Sequence, residues 1–141
     1  MKTFKIFTSG KMGGLTYSQQ MNWRMKIEKL IREQTEKSLI FVHPPIFYQY
    51  ADNESEAMTW EINQLMDSDI VIVNLSDISD SIGTHMELGV IDTVNKSFEK
   101  NIYTVGIGEP DIDHPWIFNS VFRREKTPEE AADFIVGHLL V

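Results

Sequence analysis

The stretch "SDIVIVNLSDISDSIGTHMELGVI", Ser68 to Ile91, carries the residues best suited to chemistry. It reads as an apolar strand, a polar loop and a helix opening near Gly83. At about 100° per residue, Glu87 shares a helical face with Gly83, Val90, Ile91 and Val94. The last three are residues a helix uses to pack on a sheet, so the carboxylate is aimed at the sheet edge. Burying a carboxylate is costly unless it is paired, protonated or hydrogen-bonded. An acid in a first turn complements the helix dipole by roughly 0.3–1 kcal/mol. That accounts for an acid at this level of the helix, but not for its place on the apolar stripe.

Around Glu87 lie groups able to hold a small polar ligand. Gly83 and Thr84 present backbone N–H groups and a hydroxyl at the helix start, where a hydroxyl, carboxylate or phosphate binds well. Ser81 reads either as one more hydrogen-bond partner or as a simple N-cap. The loop "SGKMGG", Ser9 to Gly14, has neither the GxGxxG dinucleotide fingerprint nor the GxxxxGK[ST] phosphate loop. Its Gly10 marks a close backbone approach, and Lys11 either meets an anion or faces solvent. Asp69, Asp77 and Asp80 flank the third strand. The four histidines are dispersed, with no HExxH spacing for a metal, and no GxSxG elbow is present. With no cysteine, thiolate chemistry, Cys-ligated zinc and disulfides are excluded. Neither a cofactor nor a metal is expected.

Positioning these groups requires alternating strands and helices. "TFKIFT" (3–8) is a strand running into the glycine-rich loop. Thr16 and Gln19 have capping-box spacing before a helix over 17–36, with Trp23, Ile27, Leu30 and Ile31 along one face. "SLIFVH" is a strand halted by Pro44 and Pro45. Asn53 and Glu56 open a helix over 54–67 with a stripe of Met58, Ile62, Leu65 and Met66, which puts Trp60 on the opposite side. "DIVIVNL" is a continuous apolar run, the mark of a strand covered on both faces. A helix over 83–96 follows, then a strand at "NIYTVGI", a weak fifth strand near 119–122, and a last helix opened by "TPEE". This alternation predicts an α/β, single-domain doubly wound parallel sheet over residues 1–141, flavodoxin-like, in the order 2-1-3-4-5. Ligands of such sheets bind beyond the carboxyl ends of the strands where the winding reverses, between strands 1 and 3. "SGKMGG" and "NLSDISDSIGT" meet there.

The chain has 141 residues, 42% hydrophobic and 24% charged, with a net charge of −8. These are values of a globular domain with one core, and the acidity argues against binding a nucleic acid polymer. No apolar run reaches the roughly 20 residues that span a bilayer, so no membrane partner is expected. No targeting segment is apparent, so a cytoplasmic location is the expectation.

The block "SDIVIVNLSDISDSIGTHMELG" resembles the nucleoside 2-deoxyribosyltransferase family and its relatives, the 2′-deoxynucleoside 5′-phosphate N-hydrolases. It has an acid opening a buried strand, an Asn (Asn74) after it, a small-residue turn, Gly83, and Glu87 four residues later, followed by Leu-Gly. "KIFTSGKMGGLTY" resembles the family's first strand and loop. The resemblance runs from about residue 4 to residue 107, with the Gly83–Gly89 block its specific part. It implies an enzyme that cleaves or exchanges the N-glycosidic bond of a deoxynucleoside or deoxynucleotide. In that reading Glu87 is the nucleophile, forming a covalent deoxyribosyl-enzyme; an acceptor base then gives transfer and water gives hydrolysis. Asp69 falls at the acidic position that helps handle the base, and Gly83 and Thr84 fall where the sugar is held.

Two positions depart from the pattern. Ser81 stands where the transferases carry an Asp for the sugar 5′-hydroxyl, and the phosphate hydrolases have Ser there. Phe7 stands where the family often places a Tyr beside the nucleophile, so a nucleotide-binding module without turnover is a further alternative. The resemblance also implies a homodimer or higher homo-oligomer whose sites are completed by a neighbouring subunit. Trp60, His114 and Asn119 are the candidates for that contact.

Overall fold

Side-chain alternation along the strands sorts this chain into two apolar layers around one sheet. The computed structural model describes residues 1–141. Five strands, β1 (Thr3–Ser9), β2 (Ser38–Val42), β3 (Ile70–Asn74), β4 (Tyr103–Ile107) and β5 (Arg123–Glu125), form one sheet in the order β2-β1-β3-β4-β5. Every neighbouring pair is parallel. Ile6, Ile70, Ile72 and Val105 point to one face, towards α1 (Tyr17–Arg32) and α6 (Pro128–Phe134). Phe7, Val71 and Val73 point to the other, towards α3 (Glu54–Met66), α4 (Ile82–Ser97) and α5 (Pro115–Ser120). β3 is buried on both faces, as its unbroken apolar run requires. The fold is therefore the flavodoxin-like doubly wound sheet expected from the sequence.

The helix starts follow their local chemistry. Thr16 and Gln19 form the reciprocal capping box of α1, with bonds of 2.9 and 3.2 Å. Asn53 accepts from the Glu56 N–H at 2.8 Å, and Thr127 from the Glu130 N–H at 3.1 Å. Each such cap contributes about 1 kcal/mol.

The structure differs from the sequence reading in three elements. Pro44 and Pro45 do end β2, but they also open a short helix, α2 (Pro44–Tyr48). A helix's first N–H groups need no intrahelical acceptor, so proline is tolerated there. Residues 115–120 are helical rather than leading into a strand at 119–122. The His114 side chain caps this helix by accepting from the Trp116 N–H at 3.2 Å, and the fifth strand is displaced to Arg123–Glu125. Finally, α3 is rotated by part of a turn from the expected stripe, keeping Leu65 and Ile62 inward. Met58 and Met66 are exposed while Ala57 and Leu65 are buried. Trp60 is not free but stacks on Phe47 with ring centroids 4.1 Å apart. That rotation brings a second acid, half-buried, towards the sheet.

Candidate active site

Glu87 lies at the carboxyl ends of β1 and β3, where the winding of the sheet reverses. On α4 the buried residues are Thr84, Glu87, Leu88, Ile91 and Val94, so the carboxylate does lie within the apolar face. The residue is only 7% exposed. Oε1 accepts a hydrogen bond from the Ser9 hydroxyl at 2.9 Å. Oε2 is buried and meets no N–H or hydroxyl donor, a state that costs about 1–3 kcal/mol for an ordinary polar group.

The second acid is Glu61. It follows Ala57 and precedes Leu65 at helical spacing of four, and those two neighbours are fully buried. Its Oε2 accepts from the Tyr48 hydroxyl at 2.7 Å, which ties α2 to α3 beside the crevice. Burial, then repulsion and a shared proton with Glu61, hold the Glu87 carboxyl well above the usual carboxylate range, while the Ser9 hydroxyl and Arg24 pull the other way. The neighbouring Glu61 carboxylate thus favours the neutral form of Glu87. Burial and the hydrogen bond to Glu61 also push the Tyr48 hydroxyl up.

Arg24 supplies the compensating positive charge from the far side of β1. It is wholly buried, donating from Nε to Thr8 Oγ1 at 3.1 Å and from a terminal nitrogen to the Gly10 carbonyl at 3.2 Å. The Gln20 carbonyl accepts a further bond from it. Burial lowers its pKa to about 10, and Glu87 and Glu61 oppose that shift, so it stays a cation at neutral pH. Gly10 must be glycine for this arrangement. A Cβ there would sit 2.8 Å from the Trp23 ring and 3.2 Å from the Asn74 Cβ.

The mouth of the crevice is polar. Ser81 does not cap α4 with its side chain; its hydroxyl instead pairs with Thr84 Oγ1 at 2.6 Å, both groups buried. Gly83 is exposed beside them, with open space where a Cβ would project. Lys11 pairs with Asp80 at 2.7 Å, linking the loop after β1 to the loop before α4. Asn74 ends β3 and accepts from the Ser76 N–H at 3.0 Å.

Three expected residues bring no polar group to this site. Asp69 stands at the amino end of β3, where it accepts from the Lys5 N–H at 2.9 Å and pairs with Lys2 at 3.5 Å. Lys5 and Ser9 are four residues apart on β1, so Asp69 is separated from Glu87 by about 13 Å of strand. It ties the sheet's amino edge and is not part of the crevice. Phe7 is fully buried in the core and brings no polar atom to the site. Asn119 lines a hollow with Tyr103 and Thr104 at the amino end of β4, also away from Glu87.

Sequence reasoning did not find Ser9, Tyr48, Arg24 or Glu61. The signal for Glu61 was present, because the test applied to Glu87 works equally well on Ala57, Glu61 and Leu65. It was masked by the more hydrophobic series of Met58, Ile62 and Met66.

Fold and site together define an α/β protein with a buried carboxyl, Glu87, at the switch point of a parallel sheet and a second acid beside it. Its backbone is similar to that of a 2-deoxyribosyltransferase from the psychrotolerant bacterium Bacillus psychrosaccharolyticus, with a TM-score of 0.70 over 97% of this chain and 96% of that one, at 16% identity. It is also similar to a conserved protein from Enterococcus faecalis V583, with a TM-score of 0.68 over 94% of this chain and 96% of that one, at 11% identity. At such identities the likeness establishes the shared fold. Neither a protein-family model nor a curated protein matches the sequence. No helix is long and apolar enough to cross a membrane.

Proposed function

We propose that this chain is a nucleoside 2-deoxyribosyltransferase-like enzyme that breaks the N-glycosidic bond of 2′-deoxynucleosides through a covalent deoxyribosyl ester on Glu87. One observation carries this reading: a buried carboxylate at the switch point, with one oxygen free of donors, beside a second carboxylate. A carboxylate held away from water keeps its lone pair available for an electrophilic carbon, the strategy of retaining glycosidases. The neighbouring acid supplies the other half of the chemistry. The pair's proton passes to the departing base through Glu61 while Glu87 attacks, so the leaving group departs neutral and the enzyme keeps its charge balance. Arg24 offsets the negative charge from behind β1. Ser81, Gly83 and Thr84 hold the sugar, with Lys11, Gly10 and Asn74 shaping the wall. The same reading includes assembly as a homodimer or higher homo-oligomer, which sedimentation of the native chain tests.

A second reading has its own observation. Ser81 places a hydroxyl, not a carboxylate, at the end of the sugar site, and a hydroxyl does not repel a 5′-phosphate. Against it, the nearby cation Lys11 is already paired with Asp80. Supplying deoxynucleoside plus free base in one reaction, and dAMP, dGMP or dCMP in another, separates transfer from monophosphate hydrolysis. Mass spectrometry of the intact protein with a 2′-fluoro-2′-deoxynucleoside is expected to show a sugar adduct on Glu87. Base release without any adduct would remove the covalent route, and no base release from any of these compounds would remove the enzyme reading.

A further inference from the structure

The two oxygens of Glu87 are chemically equal in a free side chain and unequal here. Ser9 is the last residue of β1, and strand alternation puts its side chain on the same sheet face as Phe7. Phe7 contributes only apolar contact, so of these two residues Ser9 alone presents a polar group to the crevice. It is 1% exposed, and its hydroxyl hydrogen goes to Glu87 Oε1 at 2.9 Å. Oε1 therefore carries part of its charge into a hydrogen bond, and the carboxylate plane is fixed. Oε2 is buried and accepts from no N–H or hydroxyl, so once the proton the carboxyl shares with Glu61 has moved away its lone pairs are free. The backbone of Ser9 is itself rigid, since β1 pairs with β3 through Ser9 and Val73.

The geometry points to Ser9 as a positioning residue that selects Oε2 as the atom bonding to the anomeric carbon of the sugar. The inference rests on Glu87 acting as the glycosyl nucleophile. In the step, an Oε2 lone pair forms the C1′–O bond as the C1′–N bond breaks. The electron pair of the broken bond goes to the base nitrogen, and the base takes the proton carried by the two acids. In the resulting ester Oε1 is the carbonyl oxygen, still accepting from Ser9. When the acceptor base or water attacks C1′, its proton passes to Glu61, the C1′–Oε2 pair returns to the carboxylate, and the Ser9 hydrogen bond helps it leave. One hydroxyl thus serves both half-reactions without touching the sugar.

Steady-state base release from 2′-deoxyadenosine and 2′-deoxyinosine tests this across pH for the native enzyme, Ser9→Ala and Ser9→Thr. Ser9→Ala is expected to lose about 10- to 30-fold in kcat with KM changed less than about twofold, the signature of a lost transition-state contact. Because the Ser9 hydrogen bond favours ionised Glu87, its loss moves the acid limb of kcat/KM to higher pH by roughly half a unit to one unit. Ser9→Thr keeps the donor and restores both readings. An active native enzyme with Ser9→Ala matching it in kcat and acid limb would overturn the inference, as would a rise in KM alone. A native enzyme that releases no base overturns the Glu87 reading instead. In that case the carboxyl 13C titration of Glu87, unchanged between native and Ser9→Ala, would overturn the contact as well.

Discussion

Thr8 and Ser9 are adjacent on β1 and face opposite sides of the sheet, and each anchors a buried polar cluster. On the Thr8 side every group is answered. Arg24 donates to Thr8, Thr8 meets His43 Nδ1 at 2.8 Å, His43 Nε2 meets Glu28 at 2.6 Å, and Arg32 closes the chain on Glu28 at 2.8 Å. The Glu28 carboxylate can only accept, so in the neutral His43 ring Nε2 carries the proton and Nδ1 accepts from the Thr8 hydroxyl. His43 thus donates to Glu28 from Nε2. Burial lowers the His43 pKa despite Glu28, which suits this neutral tautomer. On the Ser9 side the account stays open: one oxygen of Glu87 has no donor, and two acids face each other. The first cluster is what a fold builds to hold α1 and β2 on the sheet. The second costs stability and is intelligible as a site kept ready for a ligand.

The largest expected effect separates the two clusters directly. Glu87→Gln should cut base release on the order of 10³-fold or more, the scale seen when an enzyme loses its nucleophile. It should do so without lowering the melting temperature. A destabilised Glu87→Gln protein would show that the open cluster is structural after all.

Arg24→Met probes the closed cluster. It leaves Thr8 and two backbone carbonyls without their donor and takes away the cation behind the acids, so a loss of about 3 kcal/mol is expected. For a chain of this size that is roughly 10 °C in calorimetric melting temperature. An unchanged melting temperature would break the contrast from the other side. Next in size, Glu61→Gln should lower turnover by about 10²-fold through loss of proton delivery to the base. The loss should be smaller for substrates whose leaving base is already acidic, and an equal loss for all bases would argue against that role.

The smallest effect concerns pH. Glu87 has a raised pKa in the fold, so relative to the unfolded chain it favours folding below the ordinary carboxylate range. That contribution disappears as pH rises through the raised value. Native and Glu87→Gln proteins should therefore melt closer together near about pH 4 and diverge towards about pH 8, with the variant the more stable. Thermal melts across that range check the sign, and parallel curves would mean that Glu87 titrates normally.

Local signals reached far in this protein. The apolar run of β3, the Thr16–Gln19 and Thr127–Glu130 caps and the 3.6-residue stripe of α4 are properties of short segments. They fix element type, and alternation of element types fixes a parallel doubly wound sheet. Glu87 was legible for the same reason, being one polar residue on an otherwise apolar face. Other features were not local. The rotation of α3 that half-buries Glu61 and exposes Met58 accompanies the stacking of Trp60 on Phe47, a partner from another element. Asp69 looked close to the site because it borders the right strand, but sequence adjacency does not say which end of the sheet a residue occupies. The sequence by itself determined the fold class and the inward acid, because periodicity encodes which side of an element is dry. Only tertiary structure decided the acid's company, because Ser9, Glu61 and Arg24 come from three elements whose meeting is set by sheet order and helix rotation.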